Sequence, residues 1–206
     1  MFEIIKAGGW VMVPILLCSV TALGIVIERF WSLKSGRVLP PELLERIWEW
    51  VKRDELDDTR IQAVYESSPL GRVLAVGLMN RNHSREVMKE SIEDTGRHVA
   101  HELERFIGAL GTIAAISPLL GLLGTVLGMI SVFTVMTTSG VGNPTELAGG
   151  ISQALITTAA GLSVAIPTLI FQRYFRGKVE NLVLNMEEES LKLVEVLHGE
   201  REAGLK

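Results

Sequence analysis

The charged residues of this 206-residue chain are confined to part of its length. The sequence contains 20 Lys and Arg and 24 Asp and Glu residues, yet none of them lies in Ala7–Ile27, Phe106–Thr145 or Leu147–Gln172. A soluble globular domain distributes its charges along each amphipathic element instead. This segregation argues against a water-soluble monomer, a disordered chain and a nucleic-acid-binding protein.

Each charge-free window is long enough for a helix that crosses a lipid bilayer. About 20 apolar residues span the roughly 30 Å hydrocarbon layer, and a helix satisfies its own backbone hydrogen bonds there. We predict the first span over 9–27, the second within 106–138 and the third over 147–171. The first window lacks the basic start and the small-residue cleavage site of a signal peptide, so we expect an uncleaved anchor.

The sequence predicts an all-α polytopic membrane protein whose second and third spans extend into a cytoplasmic helical region. The second apolar run exceeds the bilayer thickness if it is helical throughout. Ser84 suits an N-cap and apolar residues recur at helical spacing after it, so we predict one helix over 85–138. The predicted segments are 1–29 with the first span, a helical loop 30–84, the long helix 85–138, a short loop 139–146, the third span 147–172, and a C-terminal helix and tail 173–206.

The distribution of Lys and Arg predicts the orientation of these spans. One basic residue precedes the first span, 13 lie between the first and second, none lies between the second and third, and six follow the third. Basic residues accumulate on the cytoplasmic side of a membrane. We therefore expect 30–84 and the C-terminus to be cytoplasmic, and the N-terminus and the loop 139–146 to be outside.

Small and polar residues recur on one side of the second and third spans. Small residues at this spacing let helix backbones approach closely; they are Gly121, Gly124, Gly128, Gly150, Ala154 and Gly161. Polar residues occur in the same spans, namely Ser117, Thr125, Gln153, Thr157 and Thr158; of these, Thr158 lies on the small face and Thr125 lies beside Gly121, Gly124 and Gly128. Such a face suits a pore or a buried partner helix better than lipid, although ordinary tight packing with hydroxyls bonded to their own helix is the alternative. Pro118 and Pro167 each free a backbone carbonyl and permit a bend.

None of the charge-free windows contains an ionisable acid, base or histidine. A proton relay inside a membrane normally needs such a group. If this chain conducts protons, the titrating group must come from another polypeptide or from water. We expect no enzyme activity, no cofactor and no metal: the sequence has no Ser/His/Asp grouping, and His98 and His101 read as part of a solvated helix face.

Two stretches resemble a known family. Pro118-Leu119-Leu120-Gly121-Leu122-Leu123-Gly124-Thr125 and the following Val126–Ile130 resemble the second-span signature of the ExbB/TolQ/MotA proton channel proteins. Gly150–Leu162, followed by Ala165-Ile166-Pro167, resembles the third-span signature of the ExbB/TolQ branch. The motifs occur in the family's order, on the family's three-span layout.

The resemblance implies a component of an ion-driven motor in the bacterial inner membrane. Five copies would form a ring around two single-span partners of the ExbD/TolR type, whose membrane aspartate takes up and releases the proton. Motion would pass to a TonB- or TolA-like protein that spans the periplasm. By position, Thr125 and Thr158 match the family's pore-facing threonines, and Ser117, Gln153 and Thr157 complete the candidate ion pathway.

One position departs from the family pattern. The better-known ExbB and TolQ proteins carry a glutamate where this chain has Gln153, and glutamine cannot titrate. We expect Gln153 to fix water or helix contacts while the partner's aspartate alone titrates. The expected function is to energise TonB-dependent outer-membrane transport with the proton motive force. A TolQ-like role in envelope integrity and division, a non-conducting scaffold for partner helices, and sodium as the ion remain open alternatives.

Overall fold

The computed structural model describes residues 8–53, 55–139 and 144–197, and within these it contains helices and turns but no strand. The helices are α1 (Met12–Ser32), α2 (Ser35–Val38), α3 (Pro41–Lys52), α4 (Asp58–Ser67), α5 (Pro69–Met79), α6 (Arg85–Leu103), α7 (Ile107–Ser139) and α8 (Pro144–Leu197). Three helical segments are long and apolar enough to cross a membrane: Met12–Ser32, Arg85–Thr137, whose apolar part is α7, and Leu147–Leu197. The predicted all-α fold with three candidate spans is therefore confirmed.

The chain divides into two compact units. The first, the apolar unit, comprises Met1–Glu28 and Phe106–Tyr174, and the second, the charged unit, comprises Arg29–Arg105 and Phe175–Lys206. The division falls within two residues of the ends of the charge-free windows. Segregation of charge along the sequence thus corresponds to two separately packed groups of residues.

In the apolar unit, the beginning of α1 packs against the other two long helices. Val11, Met12 and Ile15 are buried against a set of partly buried residues from α7 and α8, which are Leu120, Leu127, Ile156, Ala160 and Val164. Farther along α1, large apolar side chains such as Leu17 and Val20 are more than 60% exposed. An apolar helix face of this extent is compatible with hydrocarbon and not with water.

The predicted single helix over 85–138 is two helices in the structure. α6 ends at Leu103, residues 104–106 form a turn, and α7 begins at Ile107. Phe106 has a φ of 64°, in the left-handed region that interrupts a right-handed helix. Glycine normally marks such a termination, and residues 104–106 contain none, so the break could not be predicted from residue type.

The end of α6 is held by a buried arginine within the charged unit. Arg29 is 5% exposed, and its Nη1 donates a hydrogen bond to the carbonyl of Leu103 at 3.2 Å. The last carbonyls of a helix have no partner in the helix and carry partial negative charge. The Arg29 guanidinium therefore gives the Leu103 carbonyl a hydrogen-bond partner, and its positive charge interacts favourably with the negative end of the α6 dipole.

The charged unit is built around α5, the helix with the largest buried fraction. Its buried residues are Leu70, Gly71, Val73, Leu74, Ala75, Gly77 and Leu78. A Cβ at Gly77 would lie 2.9 Å from Ile92 of α6 and 3.1 Å from Leu193 of α8, so this glycine permits close packing of those helices. The part of α8 from Phe175 onward contributes buried Phe175, Leu182 and Met186 to the same unit.

Local signals explain why this unit contains several short helices. The Asp57 side chain accepts a hydrogen bond from the Arg60 amide at 2.8 Å, and Ser68 Oγ accepts one from the Gly71 amide at 3.0 Å. Such N-caps satisfy the unpaired amides of a first turn. Prolines occupy the first turns of α3 and α5, where a missing amide proton costs nothing.

A two-contact ion pair joins α5 to α6. Arg72 Nη2 lies 2.6 Å from Glu102 Oε2, and Arg72 Nη1 lies 3.0 Å from Glu102 Oε1. The hydrogen bond from Arg72, with the charge of that arginine, holds the pKa of Glu102 below its ordinary value of 4.5. The same hydrogen bond raises the pKa of Arg72.

Because the pKa of Glu102 is lower in the folded state, the pair stabilises the fold above the unfolded glutamate pKa and is lost as pH falls through the folded value. We expect Glu102→Gln to reduce the thermal stability of the full chain at neutral pH, and the difference from wild type to shrink on acidification. Circular dichroism melting curves across the acid range measure this. The exposed Glu90→Gln on the same helix is the control, and a wild-type difference that grows on acidification contradicts the assignment.

Candidate functional site

The candidate site lies where α7 and α8 approach each other at glycines. A Cβ placed on Gly161 would lie 2.5 Å from the Ser117 carbonyl oxygen, and one on Gly121 would lie 2.9 Å from the Thr157 carbonyl oxygen. One on Gly128 would lie 2.8 Å from the carbonyl oxygen of Gly150. Real Cβ atoms do not come this close to backbone, so the two helices are in direct backbone contact along this face.

Ala154 and Gly150 extend the contact toward the beginning of α8. The Ala154 methyl would lie 3.0 Å from a Cβ at Gly128, and a Val132 methyl would lie 2.5 Å from one at Gly150. Ala154 is 5% exposed. The small residues selected from the sequence therefore lie together on one helix–helix interface.

Thr158 links the two helices through its side chain. Its Oγ1 donates a hydrogen bond to the carbonyl of Gly121 on α7 at 3.2 Å, and the side chain is half-buried. Gly121 makes this approach possible, because the Cα of Thr158 would lie 3.0 Å from a Cβ there. The hydroxyl proton is used in this bond, so the oxygen retains only acceptor capacity.

Thr125 uses its proton in the same way, but within its own helix. Its Oγ1 donates to the Leu122 carbonyl at 2.6 Å. Thr125 is half-buried and lies one residue beyond Gly124 on α7. It too presents an oxygen that can accept a hydrogen bond.

Thr157 and Ser117 are fully buried within the chain, at 0% exposure. The Thr157 hydroxyl bonds to the carbonyls of Gln153 and Ala154 at 3.1 and 2.9 Å, and its side chain packs directly against Gly124. Ser117 Oγ has no hydrogen-bond partner among the described residues. Neither side chain reaches the surface of a single chain, in contrast to Thr125 and Thr158.

Gln153 contacts the residues that precede α1. Its amide nitrogen lies against Gly9, which has a φ of 69°, and a Cβ on Gly9 would overlap that amide. The Gly9 carbonyl accepts the hydrogen bond from the Met12 amide that opens α1. Gln153 is thus packed against the turn that opens α1.

Pro118 and Pro167 both lie inside helices that continue past them. Pro118 is half-buried at the α7–α8 contact, beside Ser117, whereas Pro167 is exposed. Each removes the amide hydrogen bond to the residue four positions earlier, which leaves the carbonyls of Ala114 and Ser163 without that partner.

The residue that the sequence reasoning missed is Gly9. Its two requirements, a left-handed backbone and space for the Gln153 amide, depend on a contact between residues far apart in the sequence. The adjacent pair Gly8-Gly9 ahead of an apolar run was the available signal, because consecutive glycines often mark a special backbone conformation.

The arrangement has clear chemical limits. Within the described residues no group of His, Cys, Asp or Glu could hold a metal ion. The α7–α8 contact contains hydroxyls, an amide and backbone carbonyls but no titratable side chain. It can accept and donate hydrogen bonds, and it needs an outside group to take up or release a proton.

Gly161→Ala is expected to destabilise the α7–α8 pair, because the added methyl would overlap the Ser117 carbonyl oxygen. The overlap can be relieved only by moving one of the two helix backbones. Overpacking of this kind costs about 1–3 kcal/mol. Gly149→Ala on the same helix is the matched control, since a Cβ there meets nothing within 4 Å. Unfolding of the purified chain by titration with denaturing detergent measures both. Equal resistance of the two variants contradicts the backbone contact.

Comparison with known proteins places the chain in a family. The model of the MotA/TolQ/ExbB proton channel family matches residues 65–188. An ExbB-like biopolymer transport protein of Synechocystis is 36% identical over 169 residues, which cover 81% of this chain and 66% of that protein.

Two further relatives represent the ExbB and the TolQ proteins, one each. Biopolymer transport protein ExbB of Aquifex aeolicus is 33% identical over 62% of this chain and 80% of its own length. The Tol-Pal system protein TolQ of Pseudomonas aeruginosa is 24% identical over 84% of this chain and 80% of its own length. Because the family model covers the end of α4, all of α5, α6 and α7 and most of α8, the chain belongs to the MotA/TolQ/ExbB proton channel family.

Proposed function

We propose that this chain is the ring-forming subunit of a proton-driven motor in a bacterial inner membrane, which energises TonB-dependent outer-membrane transport. The proposal includes a single-span partner of the ExbD/TolR type that supplies a membrane aspartate, and a TonB-like protein that receives the motion. The chain is oriented with its N-terminus outside and its C-terminus in the cytoplasm. Membership of a proton channel family and three membrane-length helices support this role.

The observation that supports the proposal most directly is the hydrogen bonding of two half-buried threonine hydroxyls. Thr125 and Thr158 both donate their hydroxyl protons to backbone carbonyls, at 2.6 and 3.2 Å. Each oxygen can therefore accept a hydrogen bond without any rearrangement. A protonated carboxylic acid is a donor that fits this acceptor, whereas a carboxylate is not, unless a hydroxyl rotates away from its carbonyl.

This chemistry gives the threonines a specific task. They stabilise the neutral, protonated form of a partner aspartate while it is inside the ring, where a charged carboxylate would be costly. Release of the proton to water on the other side restores the charge and ends the interaction. The alternation of the two states supplies the difference in binding that a rotary or sliding step requires.

Thr157, Ser117 and the glycines have a supporting role in this scheme. Thr157 packs against Gly124 with both helices' backbones close by, so it sets the distance between α7 and α8. The ring is proposed to contain five copies around two partner helices, as the family resemblance implies. The α7–α8 contact then keeps Thr125 and Thr158 at fixed positions in each copy.

The ExbB-like branch is favoured by the degree of similarity. The ExbB-like relatives of Synechocystis and Aquifex aeolicus are 36% and 33% identical, and the TolQ relative is 24% identical. A TolQ-like role in envelope integrity is the second candidate, because that relative aligns with 84% of this chain. A neighbouring gene for a TonB-like or a TolA-like protein distinguishes the two.

Thr158→Val should abolish proton flux through the assembled complex with its partner, because it removes the acceptor oxygen while preserving shape. Thr125→Val should strongly reduce the flux for the same reason. Thr158→Ser keeps the hydroxyl and should retain most of the flux. The measurement is acidification of vesicles that contain the complex, with oligomer assembly checked by native mass spectrometry. Normal flux in both valine variants, with assembly intact, favours the non-conducting scaffold.

Gln153→Ala should lower the flux only through the loosened start of α1, because Gln153 packs on Gly9 and does not titrate. Gln153→Glu should support flux without a change in the pH at which the flux is half-maximal. Vesicle acidification over a range of external pH, with the partner present, measures both. Full flux in Gln153→Ala together with none in Gln153→Glu overturns the contact role.

A further inference from the structure

An arginine lies over an exposed tryptophan at the end of α1. The guanidinium carbon of Arg37 is 3.7 Å from the centre of the Trp31 ring, well inside the roughly 6 Å limit of a cation–π contact. Trp31 is nevertheless 66% exposed. Contact with a ring occupies at most one side of the guanidinium, so most of its N–H donors remain available to an acceptor.

The fold holds Arg37 in this place. Arg37 belongs to α2, and the residues Leu33 and Val38 on either side of it are 0% and 1% exposed. The Arg37 amide donates a hydrogen bond to the Lys34 carbonyl at 2.8 Å, which closes one helical turn. Residues three apart in such a turn lie on the same side. Lys34 and Arg37, both exposed, therefore form a pair of cations on the outer side of a turn whose inner side is buried.

The described residues supply no counter-charge to these two cations. No carboxylate among them forms an ion pair with Lys34 or Arg37. The arginine over the second tryptophan is different: Arg60 lies 5.4 Å from the centre of the Trp50 ring, and Glu55 pairs with it at 2.7 Å. The donors of Arg37 thus remain available to an anion from outside the chain.

The depth of Trp31 along α1 indicates which anion this is. Leu23, Ile27 and Trp31 are exposed and four residues apart, so they continue along one face of the helix. Ile27 is the last residue of the first charge-free window. At 1.5 Å per residue Trp31 lies about 6 Å beyond it, inside the lipid headgroup layer, which is roughly 5–8 Å thick on each side of the hydrocarbon. Tryptophan is enriched at this depth. The anion there is a phospholipid phosphate.

We propose that Trp31, Lys34 and Arg37 bind the headgroup of an anionic phospholipid, whose acyl chains lie along Leu23 and Ile27. Arg37 donates hydrogen bonds to the phosphate oxygens in the two-pronged geometry that a guanidinium allows, and Lys34 adds a second positive charge. The inference goes beyond the proposed function, because it requires only that α1 crosses a membrane.

The same arrangement selects against a zwitterionic lipid. Phosphatidylcholine carries its own cation beside the phosphate, and two fixed cations repel it. The face of an indole can receive a choline group, but Arg37 already lies over Trp31. The site therefore favours a lipid with net negative charge, for which phosphatidylglycerol is the probe.

Trp31 itself reports on the bound lipid. The full chain is reconstituted in vesicles of phosphatidylcholine and phosphatidylglycerol, with bromine on the upper acyl chain of one lipid or of the other. Subtracting the emission of the Trp31→Phe chain isolates Trp31 from the other tryptophans. We expect brominated phosphatidylglycerol to quench Trp31 about two to five times as strongly, per mole, as brominated phosphatidylcholine, the preference that an exposed ionic contact supplies. Both leaflets have one composition, so the result does not depend on orientation or on proton flux.

Variants assign the preference to this site. Arg37→Gln should bring the quenching ratio of the two lipids close to one, and Lys34→Gln should lower it. Arg37→Lys keeps the charge but lacks the fork of donors, so it should lose most of the preference. Arg46→Gln is the matched control, because it removes the same charge from an exposed arginine 5.4 Å from the Trp50 ring. It should leave the ratio unchanged, and circular dichroism checks that each variant keeps its helices.

Four results overturn the proposal. Equal quenching by the two lipids in the wild-type chain shows no preference, and no quenching by either shows that lipid does not reach Trp31. An equal fall of the ratio in Arg37→Gln and Arg46→Gln shows a general attraction of anionic lipid to positive charge. Loss of the preference in inorganic phosphate, but not in chloride of the same ionic strength, assigns the cations to free phosphate instead of a lipid.

Discussion

The direct backbone contact between α7 and α8 is the constraint on which the rest of the site depends. In hydrocarbon, helices gain nothing from hiding apolar surface, so close packing and interhelical hydrogen bonds must hold them together. Gly121 and Gly161 remove the atoms that would keep the backbones apart. The same closeness brings Thr158 within hydrogen-bonding distance of the Gly121 carbonyl, so packing and the chemistry of the site share one cause.

That contact also explains why two adjacent threonines differ in their access to a hydrogen-bonding partner from outside the chain. Thr157 and Thr158 are neighbours, yet one is enclosed against Gly124 and the other lies half-exposed at the edge of the pair. A helix rotates adjacent side chains by about 100°, and the burial of each is decided by the partner helix. The pair thus offers acceptor oxygens without any carboxylate, which is the property that the proposed function uses.

The charged unit is stabilised mainly by burial of apolar side chains, because water competes for the hydrogen bonds of its polar groups. Its cohesion comes from an apolar helix, α5, surrounded by amphipathic ones, with N-caps at Asp57 and Ser68 that define where each short helix starts. Arg29 and the Arg72–Glu102 pair connect elements far apart in the sequence.

The sequence by itself determined the three apolar helices, the division between apolar and charged residues, and the small-residue face, since each is set by composition and helical period. It did not determine the break at Phe106, because a left-handed residue other than glycine leaves no compositional mark. Nor did it separate Thr157 from Thr158 or pair Gln153 with Gly9, because those relations depend on which atoms of a distant helix come within contact distance. Periodicity fixes which side of a helix a residue occupies, and only the packing of one helix on another decides what that side meets.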